Sequence, residues 1–223
     1  MSFIERYENK QEIFFGLDLN EEQKEMVTEI MDGNSIVVMC NAVAGAGKTL
    51  IAIACAKILA LSPEYDFDGA TYIFPTVEEG VLGYKPGSIE DKERSYLSPL
   101  YDALEAVGDF PPKSIKSDEN KSGQAWIRAQ SGTFMRGSNI EKKVLIIDEA
   151  QNMTIPQLKK IISRAHDNCK VIILGCTEQI DIDPRHSGFS SLLRFLGQYK
   201  DKVKVCELKK SYRGWLAQTI NNF

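Results

Sequence analysis

A glycine-containing loop with a lysine and a threonine lies between a short apolar run and an alanine-rich segment. The run Ile36–Cys40 is followed by the sequence NAVAGAGKTL and then by an apolar stretch that ends at Leu61. Glycines let a loop turn its backbone N–H groups onto phosphate oxygens, and the start of a helix favours negative charge there. The order of strand, glycine loop and helix therefore predicts a phosphate-binding P-loop.

The loop residues have distinct chemical roles in this prediction. Lys48 adds a positive charge for the β- and γ-phosphates, and Thr49 offers its hydroxyl to Mg²⁺, whose shell is completed by phosphates and waters. Ala42 replaces the first glycine of the GxxxxGK[ST] pattern, which requires a negative φ angle or open space at that position. The alternative is a helix that merely begins with Gly-Lys-Thr. We assign nucleotide binding to Ala44, Gly45, Ala46, Gly47, Lys48 and Thr49.

Two adjacent carboxylates, Asp148 and Glu149, follow the apolar run Val144–Ile147. Such a run predicts a strand buried on both faces, and open α/β sheets bind ligands at the carboxyl ends of their strands. We expect Asp148 to hold Mg²⁺ in its outer shell and Glu149 to polarise the water that attacks the γ-phosphate. An acidic cap on the next turn explains one carboxylate easily and both poorly.

Three further sites each have a competing structural explanation. Gln179, beyond the apolar run Lys170–Leu174, is a candidate to contact the γ-phosphate or its water, or else a solvated turn residue. Asn20 with Gln23 three residues later fits a helix capping box, which is the more economical interpretation. Arg213 lies in a basic run that is either a solvated edge or an arginine finger, supplied in cis or by a neighbouring subunit.

Strands and helices alternate along the chain, which predicts a mainly parallel sheet with helices on both faces. Ser98 followed by Pro99 predicts that the third helix begins there. The predicted strands are Ile36–Cys40, Ala70–Phe74, Val144–Ile147, Lys170–Leu174 and Lys202–Cys206. The predicted helices are Glu21–Met31, Lys48–Leu61, Pro99–Val107, Ile155–Ala165, Ser190–Leu196 and Gly214–Asn221.

Length and composition predict one domain over residues 1–223, because 223 residues are too few for two ordinary α/β domains. The polar, proline-led stretch Asp109–Gln124 predicts an exposed, mobile insertion loop. No apolar run is long enough to span a bilayer and no signal peptide is evident, so we expect a cytoplasmic protein without membrane contact. The net charge of -4 gives no global attraction to nucleic acid, and the five cysteines are predicted core residues.

Several other motifs extend over nearly the whole chain. They are PTVEEG at 75–80, LGYKPG at 82–87, YLSPLYDAL at 96–104, MRG at 135–137, DEAQN at 148–152, QID at 179–181, Ser187-Gly188 and Ser211-Tyr212-Arg213. With the P-loop, they resemble the signatures of the PhoH-like phosphate-starvation-inducible ATPases, a family similar to the first core domain of superfamily-one helicases. The small size is like stand-alone versions carried by bacteriophages.

The resemblance implies a RecA-like P-loop NTPase that uses ATP and Mg²⁺. It implies a catalytic role for Glu149, a sensing role for Gln179 and a finger role for Arg213. It also implies that Gln23, with Asn20, reads adenine, which is compatible with the cap if Gln23 points outward. Members of the family form rings, often hexamers, and some are associated with RNA, so the implied partners are RNA or single-stranded DNA and further copies of the chain.

Three positions depart from the family pattern. Ala42 stands where the family has glycine, Phe74 where it usually has arginine, and Cys176 where it usually has aspartate. The last two substitutions remove the side chains that a sensor or RNA contact at those positions requires.

The predicted function is Mg²⁺-dependent ATP hydrolysis, coupled to RNA or single-stranded nucleic acid. One alternative is an ATP-gated binding module with little turnover, which the Ala42 and Cys176 substitutions keep open. The other is a nucleotide kinase, since a P-loop fits both reactions. A kinase should have an arginine-rich lid, whereas Asp109–Gln124 contains lysines and no arginine.

Overall fold

The chain is described here from a computed structural model that covers residues 17–75, 89–116, 123, 125–132 and 139–220. For residues 89–96, 217, 218 and 220 only the backbone is described. The predicted motifs at 82–87 and 135–137, most of the motif at 75–80, and residues 117–122 and 124 of the predicted insertion lie outside the described residues.

Six parallel strands within the described residues form one sheet. Its order is β3-β2-β4-β5-β1-β6, and each neighbouring pair is parallel. The carboxyl ends of all six strands therefore meet at one edge of the sheet. The strands are β1 (Val37–Ala42), β2 (Ala70–Phe74), β3 (Ile127–Ser131), β4 (Val144–Ile147), β5 (Lys170–Gly175) and β6 (Val203–Leu208).

Helices connect the strands and lie close to the predicted positions, except that the third begins earlier than predicted and the short fourth helix was not predicted. A 3₁₀ turn at Ala150–Asn152 follows β4. Two helices begin with capping boxes, the predicted one at Asn20 and another at Thr154. The helices are α1 (Glu21–Met31), α2 (Lys48–Leu61), α3 (Ile89–Ala106), α4 (Pro111–Ser114), α5 (Ile155–Ile162), α6 (Phe189–Leu196) and α7 (Trp215–Ile220).

The sheet has a hydrophobic core on each face, because neighbouring residues of a strand point to opposite faces. Val38 and Cys40 of β1 belong to a core with residues of α1, α2 and α3, whereas Met39 belongs to a core with Leu158 of α5 and Phe189 of α6. The predicted parallel sheet with helices on both faces is confirmed. All five cysteines are free and buried, as predicted for core residues. Within the described residues, no helix combines the length and apolarity needed to cross a membrane.

The sequence prediction missed β3. Its sequence IRAQS is buried at the two ends, while Arg128 is exposed and the remaining two residues are half-buried. β3 lies at the edge of the described sheet, where β2 is its one neighbouring strand and Ile115 makes a single bridge on the other side. An edge strand tolerates polar side chains that a central parallel strand does not. β3 therefore lacks the continuous apolar run by which the other strands were predicted.

The predicted start of α3 at Pro99 was wrong. The helix begins at Ile89 and continues through Pro99, and Ser98 is therefore an interior residue and not a cap. A proline inside a helix removes one backbone hydrogen bond and crowds the preceding turn. Leu100 and Leu104 are completely buried in the core, so tertiary packing supports the helix across the proline.

The described part of Asp109–Gln124 is exposed at positions 110, 112, 113 and 123 and buried or half-buried elsewhere, so it is not uniformly exposed as the sequence predicted. The Asp109 carboxylate accepts hydrogen bonds from Lys57 Nζ at 2.6 Å and from Trp126 Nε1 at 2.8 Å. Pro111 and the last residue of α4 are buried. Long-range side-chain partners, which local polarity does not reveal, hold the start of this stretch against the domain.

Candidate functional site

The loop between β1 and α2 has the backbone shape predicted for phosphate binding. Gly45 and Gly47 have positive φ angles of 73° and 84°, which glycine adopts without steric cost. Because α2 begins at Lys48, the unpaired N–H groups and the positive dipole end of its first turn face the loop. Ala42 ends β1 and is not among the described residues with positive φ. The missing first glycine therefore causes no backbone strain.

Lys48 forms an ion pair with Glu149 across this loop, with 2.8 Å between Nζ and Oε1. The lysine side chain is 13% exposed and the glutamate 36% exposed. Burial lowers the pKa of Lys48, but the charges of Asp148 and Glu149 outweigh it and raise that pKa above its ordinary value. Burial raises the pKa of Glu149, but Lys48, a hydrogen bond from Gln151 and the charge of Arg213 together lower it. Both groups are therefore held in their charged forms.

Asp148 is completely buried at the end of β4, where three donors hold its carboxylate. Thr49 Oγ1 and the Tyr72 hydroxyl each donate to Oδ2 at 2.8 Å, and the Glu149 N–H donates to Oδ1 at 2.9 Å. Burial raises the pKa of Asp148 above its ordinary value, with Lys48 opposing and Glu149 adding to the shift. Burial and the charge of Asp148 raise the pKa of Tyr72 well above its usual range, so Tyr72 acts as a donor.

Thr49 and Asp148 form a donor set that suits Mg²⁺. Both offer oxygen atoms, which hard divalent cations prefer, and Mg²⁺ in nucleotide sites takes only one or two protein ligands besides phosphates and waters. The 2.8 Å contact brings their oxygens to one point at the start of α2. In the described part of the chain, no group of three or more His, Cys, Asp or Glu side chains could hold a metal.

Glu149 has a strained backbone that directs its side chain to the loop. Its φ of 51° and ψ of 40° fall in the left-handed region, which is unfavourable for a residue with a side chain and occurs often at functional sites. Gln151 Nε2 donates to Glu149 Oε2 at 2.6 Å, while Gln151 Oε1 accepts from the backbone N–H of Cys176 at 3.0 Å. One buried amide therefore connects Glu149 to the end of β5.

For the ATP hydrolysis predicted from the sequence, we expect Gln151→Ala to lower kcat by about 10- to 100-fold, because a hydrogen bond to a charged group contributes about 1.5–3 kcal/mol. KM for ATP should change by less than about threefold, because the variant keeps the phosphate-binding loop. Steady-state kinetics measure both values. Asn152→Ala is the matched control, since the Asn152 amide pairs with Asp181 and not with Glu149. An unchanged kcat in Gln151→Ala contradicts the role.

Gln23 points inward. The sequence predicted that it could both cap the helix and read adenine only if its side chain pointed outward. The side chain is 6% exposed. Its Oε1 accepts from the Asn20 N–H at 3.0 Å, and its Nε2 donates to the carbonyl of Ala46 at 2.9 Å. Asn20 Oδ1 in turn accepts from the Gln23 N–H at 2.8 Å. The Gln23 amide oxygen that would contact an adenine base is already used by the capping box. Asn20 and Gln23 therefore cap α1, and Gln23 also braces the loop.

The segment after β6 lies across the P-loop of its own chain. Ser211 Oγ donates to the carbonyl of Ala44 at 2.8 Å, and the Tyr212 N–H donates to the carbonyl of Gly45 at 3.0 Å. A side chain at Gly45 would start 2.9 Å from Arg213 Cδ. Gly45 is thus needed for the close approach of Arg213 as well as for its φ angle.

The other predicted positions lie around the same edge of the sheet. Gln179 is exposed in the loop after β5. The start of that loop is held by Asn41, whose Oδ1 accepts from the Thr177 N–H at 3.0 Å. Phe74 and Cys176, two of the three departures from the family pattern, are 3% and 4% exposed. Their side chains belong to the buried interior.

Sequence reasoning missed two residues that contact the acidic pair. Tyr72 places a hydroxyl in a strand whose five residues are all buried, and a buried tyrosine usually requires a polar partner. Gln151 is an amide two positions after Glu149, which is too common a spacing to indicate a contact. The tyrosine in a buried strand was a signal available in the sequence, whereas the Gln151 contact depends on the turn that follows β4.

A family model described as PhoH-like protein matches residues 18–223. The chain is 34% identical over 181 residues to Protein PhoH2 of Bacillus subtilis, covering 78% of this chain and 40% of the relative. It is 36% identical over 193 residues to a PhoH-like protein of Mycobacterium tuberculosis, covering 83% of this chain and 51% of the relative. The chain thus spans about half or less of the length of these curated relatives.

Two solved structures share the fold. The large terminase of bacteriophage HK97 superimposes with a TM-score of 0.57 at 17% identity, over 86% of this chain and 39% of the terminase chain. The UvsW helicase of bacteriophage T4 gives a TM-score of 0.51 at 16% identity, over 86% of this chain and 60% of the helicase chain. The RecA-like P-loop fold predicted from the sequence is confirmed.

Proposed function

The chain belongs to the PhoH-like protein family, and from that premise we propose that it binds ATP on the loop Ala44–Thr49 and hydrolyses the γ-phosphate. The single observation that best supports the proposal is the convergence of opposite charges at the loop. Lys48 Nζ lies 2.8 Å from the Glu149 carboxylate, directly beside the buried Asp148. A site built in this way can hold a γ-phosphate between a cation and a carboxylate that orients water.

ATP binding uses groups that are already oriented. The N–H groups at the start of α2 donate to phosphate oxygens, and Lys48 donates to the β- and γ-phosphates. Gln23 keeps the loop in shape through its bond to the carbonyl of Ala46. The half-exposed ring of Tyr212, which is 51% exposed next to Gln23, offers a surface on which a base can stack.

Hydrolysis requires Lys48 to exchange its contact with Glu149 for the γ-phosphate. Glu149 then accepts a hydrogen bond from the attacking water, while Gln151 keeps its second carboxylate oxygen in place. Arg213, which lies over Gly45, donates to the γ-phosphate oxygens as negative charge develops on them. Because Arg213 lies on the loop of its own chain, we propose that it acts in cis.

Thr49 and Asp148 are the residues that hold Mg²⁺ in this proposal, Thr49 directly and Asp148 through the outer shell. When bound, the ion neutralises charge on the β- and γ-phosphates. Asp148 keeps the Thr49 hydroxyl oriented by accepting its hydrogen.

We expect Lys48→Ala to reduce ATP hydrolysis to background and to weaken binding of the fluorescent analogue mant-ATP by about 10- to 100-fold, the loss of a charge-assisted hydrogen bond. Purified wild type and variant are compared with and without single-stranded RNA and DNA. Lys159→Ala, which removes an exposed lysine of α5, is the control. Equal hydrolysis by wild type and Lys48→Ala would refute the proposal.

The alternatives predict different results in the same assay. Tight mant-ATP binding by the wild type without turnover favours an ATP-gated binding module. Phosphate transfer to an added nucleotide instead of water favours a kinase. We favour hydrolysis because Glu149 lies beside Lys48 and because a hydrogen bond from Gln151 fixes its side chain.

Coupling to RNA or single-stranded DNA is a further part of the proposal, and it rests on the family. Turnover that rises with one of the two polymers identifies the substrate class. The γ-phosphate role of Gln179, a homo-oligomeric ring and a cytoplasmic location also stay predictions. Mass measurement in solution with and without ATP tests the ring.

A further inference from the structure

Tyr72 contacts the metal-side carboxylate although it lies on a different strand. Its hydroxyl donates to Asp148 Oδ2 at 2.8 Å, and the two residues are 1% and 0% exposed. Tyr72 pairs in register with Ile146 of β4, two positions before Asp148. The phenol therefore extends along the sheet towards its carboxyl edge, where the P-loop lies.

The hydrogen bond fixes one particular oxygen of Asp148. Oδ2 accepts from both Tyr72 and Thr49, whereas Oδ1 accepts from the Glu149 N–H. Two donors on one oxygen and one on the other determine the rotation of the carboxylate about its terminal bond. Tyr72 thus keeps Oδ2 directed at the Thr49 hydroxyl.

A tyrosine that only fills the core explains this geometry less well. Every position of β2 is buried, so a phenylalanine would fill the same volume without bringing a polar group into the interior. The hydroxyl group finds its partner in the one carboxylate that also contacts Thr49. In metal sites, hydrogen-bonded groups beyond the direct ligands orient those ligands, and losing such outer-shell contacts typically weakens metal affinity or activity by about 10- to 100-fold.

We propose that Tyr72 is a positioning residue for Mg²⁺: its hydroxyl orients Asp148 so that Asp148 and Thr49 together receive the cation that accompanies the nucleotide. This inference rests on the proposed function, since it assumes that the loop binds Mg²⁺ with ATP. It assigns no chemical step to Tyr72 itself. Tyr72 acts only through Asp148.

The test compares mant-ATP affinity with Mg²⁺ and with EDTA in the wild type and in Tyr72→Phe. We expect Tyr72→Phe to weaken the affinity measured with Mg²⁺ by about 10-fold or more, and to leave the affinity measured with EDTA within about threefold of the wild type. Tyr101→Phe is the control, because Tyr101 packs against the same core and is only partly buried. It should change neither affinity.

A second measurement separates positioning from a general loss of structure. In an Asp148→Asn background, Tyr72→Phe should no longer change the Mg²⁺-dependent gain in affinity, because the carboxylate that Tyr72 orients is gone. Thermal unfolding of each variant is recorded alongside. Equal weakening with Mg²⁺ and with EDTA, or an unchanged affinity in both, overturns the inference. A wild type that binds mant-ATP under neither condition overturns the proposed function, and the inference with it.

Discussion

Replacing Glu149 with glutamine lowers kcat for ATP hydrolysis by about 10²- to 10⁴-fold, the range expected when a general base is removed. The amide keeps the size of the side chain but attracts a proton from water far less strongly. Binding of mant-ATP should stay within about threefold of the wild type or become tighter, because a negative charge beside the γ-phosphate is removed. Single-turnover hydrolysis and equilibrium fluorescence titration measure the two effects separately.

The control for Glu149→Gln is Glu178→Gln, which makes the same change at an exposed glutamate in the loop after β5. It should hydrolyse ATP at the wild-type rate. If Glu149→Gln retained full turnover, Glu149 would be only the ion-pair partner of Lys48, and another group would have to orient the water. A parallel loss of affinity and turnover would also contradict the catalytic role, because it would show that the variant disturbs the loop.

Replacing Arg213 with alanine lowers kcat by about 10³-fold or more, the effect typical of an arginine finger. Burial raises the pKa of Glu149, and the charge of Arg213, whose side chain lies beside Gly45, lowers it together with Lys48 and Gln151. Arg213 is therefore close enough to interact with charge on the γ-phosphate. Arg194→Ala, which removes an exposed arginine of α6, should leave kcat unchanged. Steady-state hydrolysis at saturating ATP gives both values.

Mixing two inactive variants determines which chain supplies the arginine. Arg213→Ala and Glu149→Gln are combined in equal amounts and allowed to exchange subunits before hydrolysis is measured. If Arg213 acts in cis, every site in the mixture lacks one of the two groups and no activity returns. Recovery of a substantial fraction of the wild-type rate would instead show that Arg213 completes the site of a neighbouring chain.

The two variants affect different ends of one connected set of contacts. Glu149 is joined to the end of β5 through Gln151 and Cys176, and Arg213 is carried by the segment that bonds to Ala44 and Gly45 after β6. A γ-phosphate bound between Lys48 and Glu149 would therefore contact elements on both sides of β1.

The sequence determined the fold class and the central site because both depend on local patterns. A buried parallel strand is recognisable from four or five consecutive apolar residues, as in Val144–Ile147, and the loop from the glycines and lysine at fixed spacing. Since parallel strands end at one edge, the order of motifs already predicted that Lys48, Thr49, Asp148 and Glu149 lie together. The capping box of α1 was also predictable, because its hydrogen bonds join residues three positions apart.

Tertiary structure alone decided the features whose partners are far apart in the chain. Lys57 and Trp126 hold the half-buried Asp109 in place. α3 continues through Pro99 because Leu100 and Leu104 are buried, and β3 tolerates polar residues because it lies at an edge. Gln23 turns inward because the Ala46 carbonyl lies beside it. Each outcome depends on distances that close only after the sheet is assembled, and single-residue preferences are weaker than the packing and hydrogen bonding that then become available.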